Sequence, residues 1–371
     1  MQNAEPNVGK RVVVARFAEN PAEAIESGTA LEPMERPDPA KLGPRDVLVQ
    51  IVSASVGWVD LLMTSGQYQH MPKPPYVPGL EYAGVVRWHG ADVKDLELGA
   101  RVLVDGFQAG PRSLGAYQAW GGFATWAVAP RDAVIPIPGK LDFDQAANLL
   151  GNYETAYHCL VTRGRLREGE TVLVHGASGS TGLAAVHVAK LMGATVIALG
   201  RSDAKLALVK AQGADHVINC KAEDGGLRSY RDEVKALTGG RGVDVVYDGV
   251  GGEISLESMR AVKFGARFLI VGWAATPFVA QGQGKRGAPN ANMLPTNLMM
   301  MKGLDVLGCP TVISTVMDPT SRAPRLAQVL RWAEEGKIAP LVSHRFPLDD
   351  YKAAMRAKWS GEVTGGCVLH P

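Results

Sequence analysis

The sequence lacks several features that would each have set its class. Cysteine is scarce: four residues, at 159, 220, 309 and 367, stand far apart along 371, with no CxxC pair and no His/Cys group at metal-ligand spacing. That excludes a disulfide framework and a cysteine-based metal knot, and it fits free thiols in a reducing compartment. An excess of one charge is also missing. Lys and Arg number 39 against 37 Asp and Glu, a formal net charge of +2, so neither nucleic acid nor a membrane surface is the expected main partner. No run of about 18 apolar residues occurs that would span a bilayer. The opening MQNAEPNVGKRVVVARF carries no apolar signal core, so a cytoplasmic location is the expectation. Repeats and low-complexity tracts are absent as well.

Glycine is abundant, with 43 residues, which points to many tight turns and to backbone lying close against something. The chain is long enough for two cores, and two textures alternate along it. Up to about residue 145, short β-rich runs (RVVVARF, DVLVQIVSASVG, GLEYAGVVRWHG, GARVLVDGF, ATWAVAP, AVIPIP) sit between Gly and Pro punctuation, the pattern of a barrel-like or sandwich-like β unit. Thereafter fully apolar strands, TVLVHG (171–176), TVIALG (195–200), HVIN (216–219), VDVVYDG (243–249) and ARFLIVG (266–272), alternate with helical segments such as GLAAVHVAKLMG, DAKLALVKAQG and EISLESMRAVKFG. Apolar strands between such helices predict a doubly wound α/β domain with a parallel sheet covered on both faces. Residues 276–297 read as a loop near a site or as a surface insertion. The strand LDVLGCP, the helix APRLAQVLRWAEEGK and the last strand GGCVLHP follow, and the final segments complete the first unit. The expected domains are 1–145 with 325–371, and 146–324.

One stretch carries the chemistry, VLVHGASGSTGLAAVHVAKLMGATVIALGRSDAK at 172–205. Gly176, Gly179 and Gly182, with Ser178, Ser180 and Thr181 among them, follow an apolar strand and open a helix. Gly179 lets the backbone approach a pyrophosphate, Gly182 lets the helix pack close to the strand, and the first helical amides face the phosphates. The next strand ends in Gly200-Arg201-Ser202, with Lys205 one turn later, where a carboxylate would accept from a ribose 2′-hydroxyl and repel a 2′-phosphate. Arginine and lysine suit phosphate oxygens; Asp203 between them reads as a helix cap. NADPH is therefore the expected cofactor. Gly249, Val250, Gly251 and Gly272 end the fourth and fifth strands at the carboxyl edge, where the cofactor lies close to the backbone or the glycines simply make turns.

The segments VGWVDLLMTSGQY, PPYVPGLEYAGVV, YETAYHCL, GETVLVHGASGSTGLAAVHVAKLMGA, GVDVVYDGVGG and LPTNLMMMKGLDVLG occur in this order. In that collinear series the chain resembles the medium-chain dehydrogenase/reductase superfamily, of the zinc-free NADPH:quinone oxidoreductase (zeta-crystallin-like) type. The resemblance implies a GroES-like β-barrel-type catalytic domain built from both chain ends, a Rossmann domain inserted between them, a substrate cleft where they meet, and a homodimer formed through LDVLGC. It also implies NADPH-dependent reduction of a quinone or of the activated C=C bond of an α,β-unsaturated carbonyl. In the zinc-dependent relatives a cysteine three residues before an aspartate and a His-Glu pair supply ligands. The matching positions here are Gly57, before Asp60, and Leu80, before Glu81, so zinc is not expected. Without a Lewis acid a conjugated acceptor remains reducible, because the incoming charge spreads into an enolate that hydrogen bonds can hold.

The same resemblance supplies site residues. Tyr68, in SGQYQ, would lie in the cleft to orient the carbonyl or donate a proton, or would simply pack. Relatives usually read G-V-N where this chain has Val56-Gly57-Trp58: Gly57 leaves room, and Trp58 is either an apolar wall for a larger or aromatic acceptor or a core filler. Asn152, Tyr153 and Thr155, in GNYETAY, fall where the family contacts the nicotinamide ribose and ring, with Tyr153 also facing the substrate and Thr155 also serving catalysis. Glu154 is considered as an acid but has no carboxylate partner in sequence, and His175 reads as a satisfied strand-end histidine. Cys220 replaces a tyrosine near the adenosine phosphate, and Gly366 replaces the lysine of a terminal GK. Lys285 and Arg286, in GQGKRG, suit a CoA phosphate or a solvated loop. Two other readings stay open: an enoyl-thioester (acyl-CoA) reductase, and an NADPH-binding crystallin-like or regulatory protein with little turnover.

Overall fold

A computed structural model describes residues 8–68, 70–274 and 292–371; Lys285 and Arg286, and most of the inserted loop at 276–297, lie outside them. The described residues form two compact units, one from the chain up to Leu150 together with Ala339–Pro371, the other between Gly151 and Ile338.

The first unit opens with an antiparallel pair, β1 (Val8–Val14) and β2 (Thr29–Glu35). β2, TALEPME, escaped the sequence reading because Pro33 interrupts it, and proline is tolerated in a strand only where an edge is free. β3 (Asp46–Ser55), β4 (Tyr82–His89), β5 (Arg101–Val104), β6 (Trp126–Pro130) and β7 (Val134–Pro136) follow as the sequence runs predict. Their inward residues, among them Val47, Val49, Val86, Val102 and the fully buried Trp126, make one apolar core.

The second unit is a parallel sheet of β8 (Thr171–Val174), β9 (Thr195–Gly200), β10 (His216–Asn219), β11 (Val243–Asp248), β12 (Val262–Ile270) and β13 (Asp305–Gly308). Its order is β10-β9-β8-β11-β12-β13, so the winding reverses between β8 and β11, the position where open α/β sheets bind ligands outside the strand ends. β12 starts four residues earlier than its apolar run suggests. The helix Glu253–Ala261 ends at Ala261, and the buried Val262 pairs with Val243 before the register slips to Val245 opposite Arg267. Phe264, in this irregular stretch, is 77% exposed.

β14 (Val342–Pro347) and β15 (Gly366–His370) return to the first unit, extending its sheet to β14-β15-β3-β4-β5-β7, with β6 also pairing β3. Among the described residues no helix is long and apolar enough to cross a membrane. All four cysteines are free and buried.

Candidate active site

After β8 the chain turns at Gly176, whose φ is 59°. The amide of Ala177 donates to the carbonyl of Leu199 at 3.1 Å and that of Gly179 to Gly176 at 2.9 Å, closing the turn. The helix Ser180–Leu191 begins at once, with Gly179 as N-cap and no side-chain cap from it, so its amino end faces the turn. A Cβ at Gly182 would sit 2.9 Å from the Ala177 Cα and collide with the Gly176 carbonyl. Glycine is what allows helix and turn to meet. Ser178, Ser180 and Thr181 are half-buried around it.

Three other strand ends gather at this carboxyl edge. β9 ends at Gly200, and the exposed Arg201 donates through Nη2 to the carbonyl of Gly225. Ser202, with extended backbone, is the N-cap of the helix Asp203–Ala211, which also carries Lys205. Asp203 is already helical, and its carboxylate accepts from Asn219 Nδ2 at 2.8 Å; the capping role expected of it falls to Ser202. The thiol of Cys220 lies 3.2 Å from the Gly200 carbonyl. At the end of β11, Asp248 accepts from the amides of Val250 and Gly251 at 3.0 and 2.9 Å, folding the chain through Gly249. Gly272, at the end of β12, packs so closely that a Cβ there would lie 3.2 Å from the Gly249 carbonyl. Val250 in turn lies 3.1 Å from where a Gly176 Cβ would stand. His175 is satisfied on both ring nitrogens, by Asp248 at 3.0 Å and Ser258 at 2.7 Å.

The helix Leu150–Tyr157 sends its candidates in different directions. Asn152 accepts from the Thr181 hydroxyl at 3.0 Å, which ties it to the glycine turn. Tyr153 is buried, its hydroxyl 2.7 Å from His187 Nδ1, and burial pushes its phenol above the usual range. Thr155 is half-buried. Glu154 is buried under two guanidinium groups: Arg322 grips both carboxylate oxygens at 2.7 and 2.9 Å, and Arg325 adds a contact at 3.0 Å. These partners lie 168 and 171 residues away, so sequence reasoning saw an isolated acid.

In the first unit, Gly57 is the N-cap of the helix Trp58–Thr64. Asp60 on that helix accepts from the amides of Gly57, Gly79 and Leu80 at 2.8, 3.2 and 3.1 Å. Burial pushes its carboxyl up to about 6, against the opposing pull of those amides and of Arg112. Tyr68 is half-buried after the helix; burial raises its phenol, and the charge of Arg112 counters that rise. Arg112 was missed in the sequence. The signal for it is faint but present: it is the single charged residue between Asp105 and Arg131. Trp58 stacks on Trp359, with ring centroids 5.1 Å apart and planes at 15°, and both rings are half-buried. Gly366 begins β15, and a Cβ there would lie 2.6 Å from Asn148 Oδ1, which is the local reason for glycine.

No group of three or more His, Cys, Asp and Glu side chains among the described residues is placed to hold a metal ion. Gly57 and Leu80 offer no donor side chain beside Asp60, so zinc does not fit this site.

A GroES-like mixed sheet joined in one chain to a doubly wound parallel sheet with a glycine turn defines an oxidoreductase of the medium-chain dehydrogenase/reductase superfamily. The family model described as alcohol dehydrogenase GroES-like domain matches residues 43–139, and that described as zinc-binding dehydrogenase matches residues 180–316. Quinone oxidoreductase-like protein 2 of Mus musculus is 31% identical over 331 residues, which cover 88% of this chain and 86% of that protein. The quinone oxidoreductase of Homo sapiens is 28% identical, over 88% of this chain and 90% of its own. Among solved structures, a probable oxidoreductase from Mycobacterium abscessus matches at a TM-score of 0.78 and 30% identity, covering 99% of this chain and all of that one. The chain belongs to the zinc-free, quinone oxidoreductase-like family of that superfamily.

Proposed function

We propose that the chain is an NADPH-dependent reductase of a quinone or of the activated C=C bond of an α,β-unsaturated carbonyl. The observation that carries this reading is the glycine turn at 176–179 that leads directly into the helix Ser180–Leu191, faced along the same sheet edge by Arg201. The amides at 180–182 hold the pyrophosphate, and Arg201, with Ser202 and Lys205, reads the 2′-phosphate. Gly249, Val250 and Gly272 let the cofactor lie close to the strand ends, while Asn152 and Thr155 orient the nicotinamide end. Bound there, NADPH supplies a hydride. Tyr68 donates to the acceptor oxygen as charge builds on it, and Trp58, braced by Trp359, gives the acceptor an apolar wall. On this reading the first unit is the catalytic domain and the second the NADPH domain. The protein works in the cytoplasm as a homodimer that pairs through β13, the outer strand of its sheet.

The test is a fluorescence titration of NADPH and NADH against the full chain and Arg201→Ala, alongside nicotinamide oxidation with a panel of quinones and enones. Arg201→Ala is expected to weaken NADPH about tenfold or more, the size of a charge-assisted hydrogen bond, and to leave NADH unchanged. An equal loss for both nucleotides removes Arg201 from 2′-phosphate recognition. Binding without turnover of any acceptor rejects the reductase.

A further inference from the structure

An acid stands two residues after Arg201. Asp203 opens the helix Asp203–Ala211, where a free carboxylate would pair with the guanidinium or repel a phosphate bound to it. The structure keeps the two side chains apart. Arg201 donates through Nη2 to the carbonyl of Gly225, a neutral acceptor, and is in no ion pair among the described residues. A tight loop after β10 places that carbonyl. Lys221 bridges Leu227, the amide of Ala222 donates to the Gly226 carbonyl at 2.9 Å, and that of Gly225 donates to Ala222 at 3.0 Å. Asp224 in the same loop turns its carboxylate to the amide of Gly226 at 2.8 Å.

Asp203 is held by Asn219, the last residue of β10, whose Nδ2 donates to its carboxylate at 2.8 Å. The direction of that amide group is fixed. Asn219 Oδ1 accepts from the amide of Lys221 at 3.0 Å, the turn that an asparagine side chain makes with the backbone two residues on. Reversing the group would set N–H₂ against N–H and an oxygen against the carboxylate. The backbone of Asn219 is anchored too: its carbonyl accepts from Arg228 Nε, and Arg228 Nη2 is paired with Glu233 at 3.0 Å. An aspartate at 219 would serve the turn equally well but would repel Asp203. Asparagine serves both.

We infer that Asn219 is a specificity-determining residue for the cofactor: by holding the Asp203 carboxylate against β10, it leaves the charge of Arg201 for a 2′-phosphate. The inference rests on the reading of Arg201 as the residue that meets that phosphate. A carboxylate free to turn toward the ribose at this strand end accepts from a 2′-hydroxyl and rejects a 2′-phosphate. The chain thus carries an acid suited to NADH beside an arginine suited to NADPH, and one side-chain amide decides between them.

The test is fluorescence titration of NADPH and NADH against the full chain, Asn219→Ala, Asp203→Ala, the Asn219→Ala/Asp203→Ala double variant and Arg201→Ala. Asn219→Ala is expected to lower the preference for NADPH over NADH about fivefold, the upper range for one charge interaction at an exposed site, through weaker NADPH binding. Asp203→Ala is expected to keep at least the preference of the parent, because its carboxylate is already engaged. The double variant is expected to match Asp203→Ala, since Asn219 acts only through the acid. Should Asn219→Ala fail to fold, Asn219→Ser takes its place: its hydroxyl oxygen serves the Lys221 amide, and it has no N–H₂ for Asp203. An unchanged preference in the Asn219 variant, or a loss that persists in the double variant, overturns the inference even where Arg201→Ala weakens NADPH alone. Equal losses of both nucleotides in Arg201→Ala remove the 2′-phosphate reading and the inference with it.

Discussion

Asp60 in the first unit and Asp248 in the second are buried to the same depth, 2% and 0% exposed, yet their carboxyls are displaced in opposite directions. Burial takes Asp60 up to about 6 although three backbone amides point at it. Asp248 has two amides, at 3.0 and 2.9 Å, and burial pushes it up as well. The difference lies in His175, 3.0 Å away, and the hydroxyl of Ser255, which together bring it below the usual carboxylate range. Amide dipoles satisfy a carboxylate without offsetting the loss of water; an imidazole and a hydroxyl beside it do offset that loss. Glu154, clasped by Arg322 and Arg325, extends the series to full counter-charge.

The strongest way to sharpen this comparison is to remove the carboxylate on which two charges depend. Glu154→Ala removes the carboxylate that both buried guanidinium groups share, and the expected cost is about 4 kcal/mol, typical of breaking a buried pair from one side. A urea midpoint within experimental error of the parent would show that Arg322 and Arg325 find other acceptors.

Next in size is the pH response of Asp60. Its carboxyl rises from 3.8 to about 6 on folding, so between those values the folded chain holds a proton that the unfolded chain releases. The stability this contributes is present in full below about pH 4 and is lost as pH rises through about 6. A displacement of this size corresponds to about 3 kcal/mol. Asp60→Asn cannot titrate, so the urea midpoint of the parent should fall relative to the variant between about pH 4 and pH 7. Parallel pH profiles would mean that Asp60 is not desolvated.

The same contrast explains what the sequence discloses. The turn at 176–182 is legible because backbone geometry demands glycine there: Gly176 has positive φ, and Gly182 lies against the Gly176 carbonyl. The parallel strands are legible because burial on both faces makes them apolar throughout. Partnerships across long loops leave no such trace. Trp58 meets a tryptophan near the far end of the chain, and Glu154 finds its arginines only after the whole second sheet is built. Local rules also mislead where two neighbours compete for one role. Asp203 is a good cap by residue type, but Ser202 already holds the extended backbone that the cap position needs.

The smallest expected effect is the one that tests the comparison most directly. Because the Asp248 carboxyl is held below its ordinary range, its contribution is present above the unfolded value and lost as pH falls through the folded one. Asp248→Asn keeps an oxygen for His175 and for the amides of Val250 and Gly251, but it removes the charge and places an N–H₂ where the Ser255 hydroxyl donates to a carboxylate. The expected loss is about 2 kcal/mol at neutral pH, the worth of hydrogen bonds to a charged group, shrinking as the solution is acidified. Its pH trend is therefore opposite in sign to that of Asp60→Asn, although both variants exchange a buried carboxylate for an amide. Urea midpoints of the two variants across the same pH series decide the matter: trends in the same direction would mean that depth of burial, and not the imidazole and hydroxyl, sets the state of these carboxyls.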